Sequence, residues 1–189
     1  MAIFPGSLQR SLSRLELGVA LIVIFILSGL FLRQVLILSA RAEQSFLEVS
    51  VLNMNTALHY QAGLLYMQGE KQKLQEMDGM NPFTLMQSGL SNSIYELSVL
   101  PSKYQGEIGS LQDADILPGH WYYLGNEKIL IYKVSNDEFF ESDNSTENWI
   151  RFRVNLNYED KNNDARFEWG EDLYSGVKLQ NLGGYRWEI

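Results

Sequence analysis

The sequence predicts an α+β protein: a long N-terminal helix, with a membrane-spanning half and an amphipathic half, packed on a C-terminal antiparallel β-sheet. Three observations predict it. Leu17 to Leu32 (LGVALIVIFILSGLFL) carries no charge. Beyond Arg41, the residues Leu47, Val51, Met54, Leu58, Ala62 and Leu65 recur at steps of three and four, the spacing of one helical stripe. Near the other end, Ile150, Phe152, Val154, Leu156 and Tyr158 alternate with Arg151, Arg153, Asn155 and Asn157. That period of two marks a strand with one buried face. A sheet with one apolar face needs a cover, and the 47–65 stripe supplies it.

Residues 1–12 hold Pro5, Gly6 and Ser7 and read as a cytoplasmic leader. Residues 13–40 read as the transmembrane helix. After Arg33-Gln34 the apolar run resumes as Val35-Leu36-Ile37-Leu38, giving a segment near the ~20 residues a bilayer requires. Residues 41–68 read as the amphipathic continuation, with Glu43, Gln44, Glu48, Asn53, Asn55 and Gln61 expected largely on its other faces. No proline falls between Pro5 and Pro82, so nothing breaks the helix. At ~1.5 Å per residue it would measure about 80 Å. It should end near Gly69, ahead of an Asp78-Gly79 turn. Asn81 is a candidate N-cap, with Pro82 in the first helical position.

Residues 69–118 read as a variable connection, dominated by loop from residue 88 onward. Residues 119–189 read as the β-sheet domain. Trp121–Leu124 and Lys128–Val134, joined through Gly125-Asn126-Glu127, read as a hairpin. Val177–Leu182 and Tyr185–Ile189 read as a final hairpin around Gly183-Gly184. Four or five antiparallel strands are expected.

The chain has 15 Lys and Arg against 23 Asp and Glu, a net charge of -8. Four Arg and one Glu lie in the first 41 residues, so the acid excess belongs to the rest. An acidic domain argues against a nucleic-acid partner, which needs clustered bases for phosphate. Arg10 and Arg14 precede the apolar run and place the N-terminus in the cytoplasm, with the C-terminal domain outside. Arg33 marks the outer membrane boundary, its long side chain reaching the interface. With no cysteine there is no disulfide framework and no thiolate chemistry. A competing reading takes Ala40-Arg41-Ala42 as a signal-peptidase site. Against it, the apolar region is longer than a signal-peptide core and is interrupted by Arg33-Gln34.

The N-terminal segment Leu12-Ser13-Arg14-Leu15-Glu16-Leu17, continued by Gly18-Val19-Ala20-Leu21-Ile22-Val23, resembles that of type IV pilins and their minor-pilin relatives. The segments Pro118-Gly119-His120-Trp121-Tyr122-Tyr123, Leu130–Val134 and Arg151–Val154, the last leading into an Asp/Asn-rich loop, are similar to pilin-like biogenesis components of mannose-sensitive haemagglutinin (MSHA) pili, the F-component type in particular. The resemblance implies an accessory pilin-like subunit of such a pilus or of a related secretion machine. It would be a single-pass protein of the bacterial inner membrane with a periplasmic domain. Its partners would be other pilins and pilus-assembly membrane proteins. The resemblance also implies a processing junction between Ser11 and Leu12, where Ser11 stands in place of the family's usual Gly. Glu16 would be the assembly glutamate, neutralising the terminal amine of a neighbouring subunit. Independently of the resemblance, Ser13-Arg14-Leu15-Glu16 fits a helix capping box. The alternative function is a permanently anchored periplasmic binding or scaffold module that never enters a filament.

One stretch has metal-ligand spacing. From Asp160, oxygen-bearing side chains fall at loop positions 1, 3 and 5 (Asp160, Asn162, Asp164), with Glu168 at 9 and Glu171 at 12. With the backbone carbonyl of Arg166 at position 7, this resembles a Ca²⁺ loop, because alternate oxygens of a tight turn converge on one point. Ala165 replaces the usual Gly. The alternative is an acidic loop holding no ion. His59 and His120 lack zinc spacing. No G-x-S-x-G elbow or phosphate loop is present, and no enzyme activity is expected. The pairs Asp113/Asp115 and Asp137/Glu138 read as solvated loop residues, and Asn144-Ser145-Thr146 matches a glycosylation triplet.

Overall fold

The computed structural model describes residues 13–87, 103–111, 115–143 and 148–189. Ser11, Leu12 and the Asn144 triplet lie outside them, as does Asp113. Helix α1 runs from Arg14 to Met67 over 54 residues without interruption. The chain divides into two units, Met1–Ser39 and Ala40–Ile189.

In the first unit, the large apolar side chains between Leu15 and Leu38 are exposed, with Ile37 half-buried. In the second unit, α1 buries Ala40, Glu43, Leu47, Ser50, Met54, Ala57, Leu58, Ala62 and Leu65. The helix stops where the sequence places its end. Gly69 takes a left-handed φ of 77°. The Glu70 amide then donates to the Leu65 carbonyl at 2.9 Å, and the Gly69 amide to Tyr66 at 3.3 Å. This is the Schellman pattern, which glycine permits because it has no Cβ to clash. A 3-10 segment, Lys71–Met77, follows. The short helix α2 (Pro82–Gln87) is capped by Asn81, whose side-chain oxygen accepts the Phe83 amide at 3.1 Å.

Seven strands follow: β1 (Tyr104–Ile108), β2 (Trp121–Leu124), β3 (Ile129–Lys133), β4 (Phe140–Ser142), β5 (Trp149–Glu159), β6 (Leu173–Asn181) and β7 (Tyr185–Trp187). The main sheet has the order β1-β2-β3-β5-β6, and β4 pairs with β7 in a separate ribbon. Every neighbouring pair is antiparallel except β1 and β2. Two features differ from the sequence expectation. The stretch read as connection contains β1, which pairs parallel with β2. The final pair of segments is not a hairpin, because β7 leaves β6 to pair with β4.

The inner face of the sheet presents Leu130, Tyr132, Ile150, Phe152, Val154, Leu156, Val177 and Leu179, and these join Leu47, Met54, Leu58 and Leu65 of the helix in one core. Trp121 lies fully buried there, between Tyr132, Phe152 and Phe83. Among the described residues, an apolar cover lies on the outer face over β2 and β3. There Tyr122, Leu124, Ile129 and Ile131 pack with Ile108, Leu111, Ile116 and Trp149. Strands buried on both faces read as continuous apolar runs, which explains the unbroken WYYL and ILIY. The helix also reaches one edge of the sheet: the Asn55 side-chain oxygen accepts the Leu179 amide of edge strand β6 at 2.8 Å. That satisfies an edge donor that would otherwise await another strand.

Candidate functional site

Helix α1 is the element on which any anchoring or assembly role would rest. At its start the capping box is formed. The Ser13 amide donates to Glu16 Oε2 at 2.8 Å, and the Glu16 amide donates to Ser13 Oγ at 3.2 Å. Glu16 is exposed and serves the first turn, where an acid also complements the helix dipole. The apolar segment that follows is long and apolar enough to cross a membrane, and none of it is buried within the chain.

The second half of α1 has two apolar stripes. One faces the sheet core. On the opposite side Val49 (55% exposed), Leu52 (64%), Tyr60 (42%) and Tyr66 (51%) remain open to solvent. His59 lies exposed on the same side. His120 is held by its own turn, with Nδ1 2.8 Å from the Pro118 carbonyl.

Glu43 is the principal polar feature that the sequence reading misplaced. It was expected on a solvent face, yet it is 8% exposed. Its carboxylate accepts four hydrogen bonds: from the Tyr132 hydroxyl (3.0 Å), the Ser135 amide (2.7 Å), the Asn136 amide (2.8 Å) and Asn136 Nδ2 (2.6 Å). Among the described residues, no cation takes part. Two successive backbone amides, a side-chain amide and a phenol form a donor cup for one anion. Burial, and then the adjacent Glu43 charge, push the Tyr132 hydroxyl well above the ordinary tyrosine value, so it stays protonated and donating. The network latches the helix to the turn after β3.

The Asp160–Glu171 loop directs its oxygens to backbone amides. Asp160 accepts from Asn163 (2.7 Å) and Ala165 (2.9 Å), Asn162 from Asp164 (3.1 Å), and Asp164 from Arg166 (2.8 Å). Asn162 Nδ2 donates to Glu171 at 3.1 Å. Ala165 adopts φ 60°, the left-handed conformation the missing glycine would have taken freely. The residue closing the loop is Asp172, one position beyond the twelve read from the sequence. It is 8% exposed, and its two oxygens accept the Lys161 amide at 3.1 Å and the Glu168 amide at 2.8 Å. Among the described residues, no three His, Asp or Glu side chains gather closely enough to hold a metal ion. The expected oxygen set is thus present in the loop, but turned toward amides.

Comparison with known protein families, with curated proteins and with solved structures gives no match.

Proposed function

We propose that this chain is a membrane-anchored, pilin-like accessory subunit that assembles side by side with similar subunits through α1, in an MSHA-type pilus or a related secretion machine. The observation carrying this reading is the pair of opposed stripes on the second half of α1. One stripe closes the domain's own core. On the other, Val49, Leu52 and Tyr60 stay exposed and cost solubility, while Tyr66 meets the Trp169 ring edge-on. An anchor in a permanently separate periplasmic module would need only the first half. In this reading Leu15–Leu38 holds the subunit in the inner membrane, and Glu16 can exchange its capping bond for a neighbour's amine.

The native chain has no cysteine, so single cysteines report neighbours cleanly. Bismaleimide cross-linking in native membranes should join neighbours through Leu52→Cys and Val49→Cys. It should spare Lys161→Cys in the exposed 160–171 loop. Cross-linking equal at all three sites, or absent from all, refutes assembly through this face and leaves the permanently anchored module. Sequencing of the mature N-terminus tests the Ser11–Leu12 junction. Release at Glu43 would establish the signal-peptidase reading instead.

A further inference from the structure

The outer face of β5 and β6 stands apart from the rest of an acidic domain. Along β5 the outward residues are Arg151, Arg153, Asn155 and Asn157. Across the ladder Arg153 faces Gln180, and Asn155 faces Lys178. Lys133, paired with Trp149, adds a further cation to the same face and lies 4.4 Å from that ring's centroid. No acidic residue occupies an outward position of these strands between Trp149 and Asn157 or between Gly176 and Gln180. Yet residues 42–189 hold 22 acids and 11 bases. Asp78 offsets one of the cations, lying 3.1 Å from Arg153. Among the described residues, the apolar cover over β2 and β3 reaches β5 at Trp149.

A ridge of opposite sign lies on the same chain. Asp137, Glu138, Glu141 and Asp143 fall within seven residues that hold no base, and all four are exposed. Glu141 is engaged by Arg186, and Asp137 by Asn148. Glu138, Lys133 and Lys178 make no ion pair among the described residues.

We propose that the polar, basic outer face of β5 and β6 docks the acidic ridge at 137–143 of a second copy of this chain. The proposal rests on the assembly reading above and adds the contact its outer domain would make. Charge complementarity carries it: Lys133 and Lys178 stand on a face whose outward strand positions hold no acid, in a domain where cations are the minority. The contact is exposed and is screened by salt.

The test is association of the full-length protein in maltoside micelles, followed by analytical ultracentrifugation at about 0.01 M and about 1 M salt, where screening lengths are ~30 Å and ~3 Å. Lys133→Glu/Lys178→Glu and Asp137→Lys/Glu138→Lys should each weaken association at low salt by about tenfold or more, since like charges then meet. Lys178→Ala should fall between wild type and the reversal. An equimolar mixture of the two reversed variants should restore association, because the altered patches again complement one another. Variants enter the comparison with wild-type Tm. Reversed variants that associate like wild type, or a mixture no better than its parts, overturn the proposal. Leu52→Glu separates it from the helix reading. Loss of association in that variant at both salt levels, with charge variants inert, leaves the helix contact standing alone. Wild-type association in Leu52→Glu, with an intact charge response, removes the helix contact and keeps this one.

Discussion

Replacing Glu43 by alanine removes the only acceptor shared by four donors. The donors do not suffer equally. Ser135 is exposed and Asn136 half-buried, so water can replace the carboxylate at their amides. The Tyr132 ring has no accessible surface and its hydroxyl points into the protein, so its donor is stranded. A stranded buried donor costs ~1–3 kcal/mol, and a hydrogen bond to a charged group contributes ~1.5–3 kcal/mol. Counting one stranded phenol and partial replacement at the turn, we expect Glu43→Ala to cost about 3–4 kcal/mol. Tyr132→Phe removes a donor without stranding an acceptor that has three others, and should cost about 1 kcal/mol. The double variant should cost less than the sum, because the stranded phenol no longer exists. Glu43→Gln keeps one acceptor oxygen but turns an amide donor toward donors, so it should resemble Ala more than wild type. The assay is urea unfolding of a fragment spanning residues 40–189, the second compact unit. For a unit of that size each kcal/mol moves Tm by ~2–4 °C, so the alanine variant should melt roughly 10 °C lower. A cost below about 1 kcal/mol, or strict additivity with Tyr132→Phe, would refute the latch.

Leu58 is fully buried between helix and sheet. Leu58→Ala should cost ~2–5 kcal/mol in the same assay, and a fragment beginning at Gly69 should remain unfolded. In alkali, burial raises Tyr132 together with Tyr104, Tyr123, Tyr174 and Tyr185 above the ordinary value. Their folded values exceed the unfolded one, so their contribution is intact below pH ~10 and is lost as the pH rises through the folded values. Phenolate absorbance should therefore rise in two steps, the second coinciding with unfolding. A single step near pH 10 in the folded protein would contradict the burial. The calcium reading of the 160–171 loop predicts a higher Tm in millimolar CaCl₂ than in EDTA, worth about 2.7 kcal/mol at 100 times the dissociation constant. An equal Tm, with no heat of binding, leaves Asp160 and Asp172 as amide-capping residues only.

The long helix, its end at Gly69, the Asn81 cap and strands β2, β3 and β5 were legible because each is written locally, in a period or a capping residue. Glu43 was legible in part. It lies three residues beyond Ala40 and four before Leu47, on the buried stripe itself. Reading it by charge rather than spacing sent it to solvent, because a carboxylate in a core is costly until its donors are known. Those donors come from a turn about 90 residues away, which no local pattern announces. The same reason hid β1. Its YQGEI lacks alternation and contains Gly106 at φ 110°, so only pairing with β2 makes it a strand. At the C-terminus, Gly183-Gly184 did mark a turn, but hairpin logic supplied the wrong partner. The Gly184 amide binds Asp143, and its carbonyl accepts the Asp143 amide, so the turn hands β7 to β4 instead of folding it back on β6. In the acidic loop, spacing identified the oxygens but not what they bind. Asp172 lay outside the twelve-residue template although it makes the loop's most buried bonds. Spacing can say that oxygens lie close together. The loop's tight turn is set by Asn163 and Ala165, both at left-handed φ.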